Sequence, residues 1–140
     1  MKKILLIPVL LLTLTYCKPS KVPSSLATLE DTYSRLVEMN GNPVMTPEGV
    51  KEAHFILSSA GNIKGFGGCN TLAGGYTHGE SNIKFTVVST KMMCADEQME
   101  IETFFTKTLT SSDAYKIVGE VLDLYEGNTL LAKFQAVYLK

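Results

Sequence analysis

Short apolar segments with period-two alternation constrain the fold of this chain more than any other feature of its sequence. In Glu52–Ser58, residues Ala53, Phe55 and Leu57 alternate with polar residues, and Leu130–Tyr138 repeats the pattern. Such alternation is typical of strands with one buried face, and clusters of Asn, Gly and Pro between segments predict turns. The same reasoning predicts further strands at Tyr33–Met39, Ile63–Phe66, Ile83–Val88, Tyr115–Val118 and Val121–Tyr125.

One segment has the helical period instead. Its apolar positions recur at i, i+3, i+4, i+7 and i+8, namely Ile101, Phe104, Phe105, Thr108 and Leu109. This stripe predicts a helix over about Asp96–Leu109, with the Asp96 side chain capping its start and Phe105 packed in the core. Seven or eight short strands and one helix predict a mainly antiparallel β fold with an α+β tendency. We expect a curled sheet or partly open small barrel, with the helix covering one opening.

The first residues are typical of an export signal. Lys2 and Lys3 precede Ile4–Leu14, an apolar run that is too short to cross a bilayer as a helix and that is followed by Cys17. The segment Leu14–Cys17 resembles the lipobox of bacterial lipoproteins, in which the cysteine is lipidated and becomes the mature N-terminus. Cys17 is therefore the predicted lipidation site.

Two observations qualify the processing of this signal. Tyr16 stands where lipoboxes usually carry a small residue, and ordinary cleavage at Thr13–Thr15 is the alternative.

The domain prediction is a signal peptide over 1–16, a lipid anchor and flexible tether over 17–27, and a folded domain over 28–140. Lys18 follows the cysteine where an aspartate would retain the protein at the inner membrane, so we expect lipid anchoring in the outer membrane of the bacterial cell envelope.

The charge of the chain bears on its partners. The full chain has a formal net charge of −1. Cleavage of the signal removes Lys2 and Lys3 and leaves a net charge of −3, with no run of basic residues. Nucleic acid is therefore an unlikely partner class. We expect membrane contact through the lipid and a monomeric domain, whereas a protein or small-ligand partner is not identified.

The three cysteines are Cys17, Cys69 and Cys94. Lipidation of Cys17 leaves an even pair in an oxidising compartment, which favours a disulfide between Cys69 and Cys94. Two buried free thiols lying side by side are the alternative. A bridge would hold the glycine-rich loop to the start of the helix.

Few residues favour catalysis or cofactor binding. The glycine-rich stretch over 65–75 lacks the spacing of a phosphate-binding loop, and we read it as a tight loop at a strand edge. Cys69, His78 and Asn70 are the residue types of a cysteine-nucleophile triad, but Asn70 directly follows Cys69 and His78 lies in an apparent turn. His54 and His78 lack metal-ligand spacing, and the methionines are read as core filler. No catalytic residue, metal or cofactor is therefore predicted.

The glycine, cysteine and helix positions together resemble the META domain family, also called the HslJ-like family. The resemblance spans roughly Tyr33 to Phe134 and rests on Gly65, Gly68, Cys69, Asn70, Gly74, Tyr76, Thr90, Met92, Cys94, Met99, Glu102, Phe105 and Leu109, with a late hairpin at 115–124. Tyr33 stands where the family often has Trp. Glu102 is the one acidic signature position of the helix, and we expect it to hold a backbone group of the glycine-rich loop.

The resemblance implies a mainly antiparallel β fold and a role in the cell envelope, but it implies no enzymatic reaction. Bacterial members are commonly envelope lipoproteins associated with heat shock or antibiotic tolerance, with no established enzymatic reaction. We therefore expect a non-enzymatic lipoprotein that supports the envelope under stress through binding or scaffolding. A small-barrel carrier of an apolar ligand is the alternative, and a cysteine-nucleophile enzyme ranks below both.

Overall fold

The computed structural model describes residues 27–138, which contain nine strands and one helix. The strands are β1 (Tyr33–Met39), β2 (Asn42–Pro43), β3 (His54–Ser58), β4 (Asn62–Phe66), β5 (Thr71–His78), β6 (Ile83–Ser89), β7 (Ala114–Val118), β8 (Val121–Glu126) and β9 (Thr129–Val137). The helix α1 (Asp96–Ser111) connects β6 to β7. None of the helical structure within this span has the length and apolarity needed to cross a membrane.

Eight of the strands form one curled antiparallel sheet in the order β6-β5-β4-β3-β1-β9-β8-β7, and β2 pairs with β1 alone. The first and last strands of this order approach each other at one end. There Asn82 bridges Ala114, and the Tyr115 N–H donates to the Ser81 carbonyl oxygen over 2.8 Å. The sheet is therefore a half-closed barrel with one helix, which confirms the predicted fold class.

Aromatic rings fill the inside of this half-barrel. Phe55 lies against Phe85, Phe105 and Phe134, with ring centroids 4.9–6.3 Å apart. Phe105 and Leu109 of α1 are fully buried in the same core. The helix therefore contributes its apolar stripe to the core, as the 3.6-residue period predicts.

Three local expectations were wrong or incomplete. Residues 71–75, expected to belong to a tight glycine-rich loop, and His78, expected to lie in a turn, belong to the strand β5. The N-cap of α1 is Ala95, and no side chain caps the helix, so Asp96 is its first residue rather than its cap. His54, which occupies an outward position of the alternating strand pattern, is buried rather than exposed, because the rings of Tyr33 and Phe66 lie beside it, and this burial lowers its pKa.

The chain before β1 is fastened to the sheet through Tyr76. The hydroxyl of Tyr76 lies 2.9 Å from both the Glu30 carboxylate and the Ser58 carbonyl oxygen, and its one hydrogen is shared between these two acceptors. Burial and the bond to Glu30 raise the pKa of Tyr76 to about 12. The neighbouring Leu29 is buried in the core, so the folded unit includes these first described residues.

Two adjacent glycines of β5 give a matched test of strand packing. A Cβ on Gly74 would lie 1.9 Å from the Thr86 carbonyl oxygen, whereas a Cβ on Gly75 would lie 3.5 Å from the Gly61 carbonyl oxygen. We expect Gly74→Ala to lower the free energy of unfolding by about 3 kcal/mol or more, because the backbone of β6 must move. Gly75→Ala should be neutral or stabilise by up to about 1 kcal/mol. Urea unfolding of both variants decides, and equal effects would contradict this packing of β5 on β6.

Candidate functional site

The family-signature residues converge at one end of α1. Three pieces of chain meet there: the β4–β5 connection over 67–70, the segment over 90–94 that precedes the helix, and the helix itself. We call the six residues that join them the clamp, which comprises Cys69, Asn70, Thr90, Met92, Cys94 and Glu102.

A buried carboxylate forms the centre of the clamp. One Glu102 oxygen accepts the backbone N–H groups of Cys69 and Asn70, and the other accepts the Asn70 side-chain amide over 2.8 Å. Glu102 is only 8% exposed and takes part in neither ion pair of the described residues. Its negative charge is therefore stabilised by N–H donors rather than by a cation, and its predicted bond to the glycine-rich loop is confirmed.

The Asn70 side chain links the loop to the segment before the helix. Its amide oxygen accepts the Thr90 hydroxyl over 2.9 Å and the Met92 N–H over 2.6 Å. Its amide nitrogen donates to the Met92 carbonyl oxygen over 3.1 Å as well as to Glu102. A primary amide has two donors and an oxygen with two lone pairs, so the hydrogen-bonding capacity of this buried side chain is fully used.

A disulfide closes the clamp. Cys69 and Cys94 are bonded, with their Cα atoms 5.9 Å apart across 25 residues of sequence. The predicted bridge is therefore present, and the alternative of two free thiols is wrong. Because a disulfide sulfur carries no proton, neither residue presents a thiol nucleophile in this state.

Two glycines allow the loop to lie directly on the helix. A Cβ on Gly67 would lie 3.1 Å from Cγ of Glu102. Gly68 has a φ of +122°, and its Cβ would lie 3.1 Å from the Gln98 carbonyl oxygen. A side chain at the first position would crowd Glu102, and the second position also requires a backbone angle that glycine alone adopts readily.

The remaining signature residues support the fold around the clamp. Gly65 lies in β4 where a Cβ would fall 2.3 Å from the His54 carbonyl oxygen, and Gly74 allows β5 to approach β6 as described above. Tyr76 fastens the chain before β1, and Phe105 fills the core.

The candidate triad is not assembled. His78 is exposed and contacts Glu30, Tyr76 and Tyr115, whereas Cys69 contacts Glu102 and Cys94. The Asn70 side chain binds Glu102 and Thr90 within the clamp and does not orient an imidazole ring. The two histidines also lie in different surroundings, since His54 stacks on Tyr33.

Sequence reasoning missed the surface next to the clamp. An open groove of about 470 Å³ lies along α1, and its lining includes clamp residues together with Met93 and Met99. Met92 and Met93 are 63% and 88% exposed, so they are not the core filler that their residue type suggested. Their position directly before Cys94, in a segment with no alternation, is the only sequence signal of this exposure.

Reduction of the disulfide should weaken the domain without abolishing its hydrogen-bonded clamp. The bond closes a loop of 25 residues, which corresponds to about 3–4 kcal/mol on the chain-entropy estimate. We expect Cys69→Ser/Cys94→Ser to lose this amount in urea unfolding and Cys17→Ser, which leaves the bond intact, to lose nothing. An unchanged midpoint in the double variant would show that the bond does not constrain the unfolded chain.

Comparison with known proteins agrees with this architecture. The solved NMR structure of a protein from Burkholderia xenovorans is 25% identical, with a TM-score of 0.62 over 79% of this chain and 85% of that one. A second NMR structure is 17% identical, with a TM-score of 0.62 over 79% of this chain and 95% of that one, and it supports the fold alone. No curated protein matches the chain. The family model of the META domain matches residues 27–138. The chain therefore belongs to the META domain family.

Proposed function

We propose that this chain is a non-enzymatic lipoprotein of the bacterial cell envelope that supports the envelope under heat or antibiotic stress by binding or scaffolding. The observation that carries the proposal is the clamp. The cysteine, asparagine and glutamate that a chemist would first consider as reactive groups all have partners inside the protein. Because these signature residues bind one another and stabilise the fold, they support a role that depends on a stable binding surface rather than on a reaction.

The filled core bears on the alternative role of a small-barrel carrier. Phe55, Phe105 and Phe134 occupy the inside of the half-barrel, and each is less than 2% exposed. A carrier of this architecture would therefore hold its ligand outside the barrel. The groove along α1, with a volume of about 470 Å³, offers room for one.

Lipid anchoring is the part of the proposal that rests on sequence, because Cys17 lies outside the described residues. We expect a fatty-acid probe to label the wild-type protein in cells and not Cys17→Ala, whereas Cys69→Ser/Cys94→Ser should label normally. Labelling of Cys17→Ala at the wild-type level would reject the lipoprotein assignment.

The stress role is tested by complementation. A deletion strain should survive heat or antibiotic exposure less well than its parent, and the wild-type protein should restore survival. Cys17→Ala should fail to restore it, because the domain would be released from the membrane. Equal survival of the deletion strain and its parent would refute the stress role. Formation of many equivalents of a product per protein molecule in a cell extract, absent with Glu102→Gln, would refute the non-enzymatic role.

A further inference from the structure

The groove along α1 combines apolar and cationic side chains. Its apolar part includes Met92, Met93 and Met99, and Lys91 and Lys107 also line it. We call this surface the methionine groove. One wall is a face of the helix, and the other is the segment between β6 and the disulfide.

The methionines of this groove are not explained by the clamp. Met92 contributes to the clamp only through its backbone N–H and carbonyl groups, which any residue could supply. Its side chain is nevertheless 63% exposed, and the adjacent Met93 is 88% exposed. Large exposed apolar side chains that share a concave surface mark interaction sites, and methionine adapts its shape to varied apolar ligands.

The charges of the groove favour an anion. Lys91 and Lys107 are exposed and belong to neither ion pair of the described residues. The one carboxylate of the lining is Glu102, which is buried and accepts three N–H donors. An approaching ligand therefore meets two lysine ammonium groups beside an apolar surface.

We propose that the methionine groove binds a single-chain anionic amphiphile of the fatty-acid class. The acyl chain contacts Met92, Met93 and Met99, and the anionic head group lies near Lys91 and Lys107. The volume of about 470 Å³ falls within the range of small-molecule sites. The proposal rests on the binding role proposed above and names its ligand class, since the filled core places any apolar ligand on the outside.

The test uses sodium dodecanoate below its critical micelle concentration. The chain from Lys18 onward contains the whole described domain with its own hydrophobic core, and it avoids competition from a lipid on Cys17. We expect saturable shifts of the methyl NMR signals of Met92, Met93 and Met99. The Met45 methyl, which is 82% exposed and outside this groove, should not move.

Matched variants separate charge recognition from general stickiness. Lys91→Gln/Lys107→Gln should weaken dodecanoate binding at least tenfold, whereas Lys64→Gln/Lys116→Gln, at exposed lysines elsewhere, should leave it unchanged. Dodecyl maltoside, which has the same chain length and no charge, should bind at least tenfold more weakly.

Several results would overturn the assignment. They are equal binding of the neutral detergent, equal effects of the two lysine pairs, or a shift of Met45 comparable to those of the groove. Binding to phosphatidylglycerol vesicles without binding to monomeric dodecanoate would also overturn it, in favour of a bilayer surface. Complementation is measured in a separate experiment. If dodecanoate does not bind, the ligand proposal fails, and the stress role is still decided by the survival of the deletion strain.

Discussion

Phe105→Ala should lower the free energy of unfolding by about 3–5 kcal/mol, since it removes a fully buried ring from the centre of the core. The ring lies 6.3 Å from Phe55 and 5.9 Å from Phe134 between centroids, so its removal leaves a cavity between the helix and two strands. Urea unfolding measures the loss directly.

The neighbouring Phe104 gives the matched control. It is only partly buried and packs at the edge of the core, so Phe104→Ala should cost clearly less than Phe105→Ala. Equal losses from the two variants, or a midpoint unmoved by Phe105→Ala, would mean that α1 does not pack on the sheet through the expected face.

Glu102→Ala should be comparably severe for a different reason. The change leaves the N–H groups of Cys69 and Asn70 and the Asn70 side-chain amide without their acceptor. Each buried donor left unpaired costs about 1–3 kcal/mol, so we expect a total loss of at least about 3 kcal/mol. Thermal and urea unfolding both report it.

Two further helix variants isolate the carboxylate. Glu100→Ala changes an exposed glutamate of the same helix and should stay within about 0.5 kcal/mol of wild type. Glu102→Gln should fall between wild type and Glu102→Ala, because an amide oxygen accepts hydrogen bonds but its NH₂ group opposes a donor. If Glu102→Ala were as stable as Glu100→Ala, the clamp would contribute nothing to folding.

Seven of the nine strands and the helix could be predicted because each repeats a period over enough residues, which the two-residue β2 does not. The prediction failed at β5, where Gly74 and Gly75 interrupt the alternation between Leu72 and Tyr76. Glycine has no side chain to show which face a position occupies, so a strand that needs close backbone approach is read as a loop. Of the two, only Gly74 is required by the register of β5 on β6, because a Cβ there would meet the Thr86 carbonyl oxygen.

The clamp was predictable only in part. Glu102 was expected to bind the glycine-rich loop because it is a signature position. The cysteines were expected to meet because an even pair in an oxidising compartment favours a bridge. The bonds from Asn70 to Thr90 and Met92 join residues 20 and 22 positions apart, and no local pattern encodes such a pairing. Exposure of Met92 and Met93 likewise depends on where the sheet and helix leave a gap.

If the signature residues hold the glycine-rich loop as an integral part of the folded core, the backbone amide of Asn70 should exchange its hydrogen as slowly as amides of the core. Since the Asn70 N–H donates to a buried carboxylate, we predict that it exchanges with a free energy close to that of global unfolding. In Glu102→Gln this protection should fall at Cys69 and Asn70 more than at Leu57, which is buried in the core. Exchange of Asn70 in the wild-type protein at the rate of an exposed loop amide would show that the loop opens independently, and it would contradict the clamp.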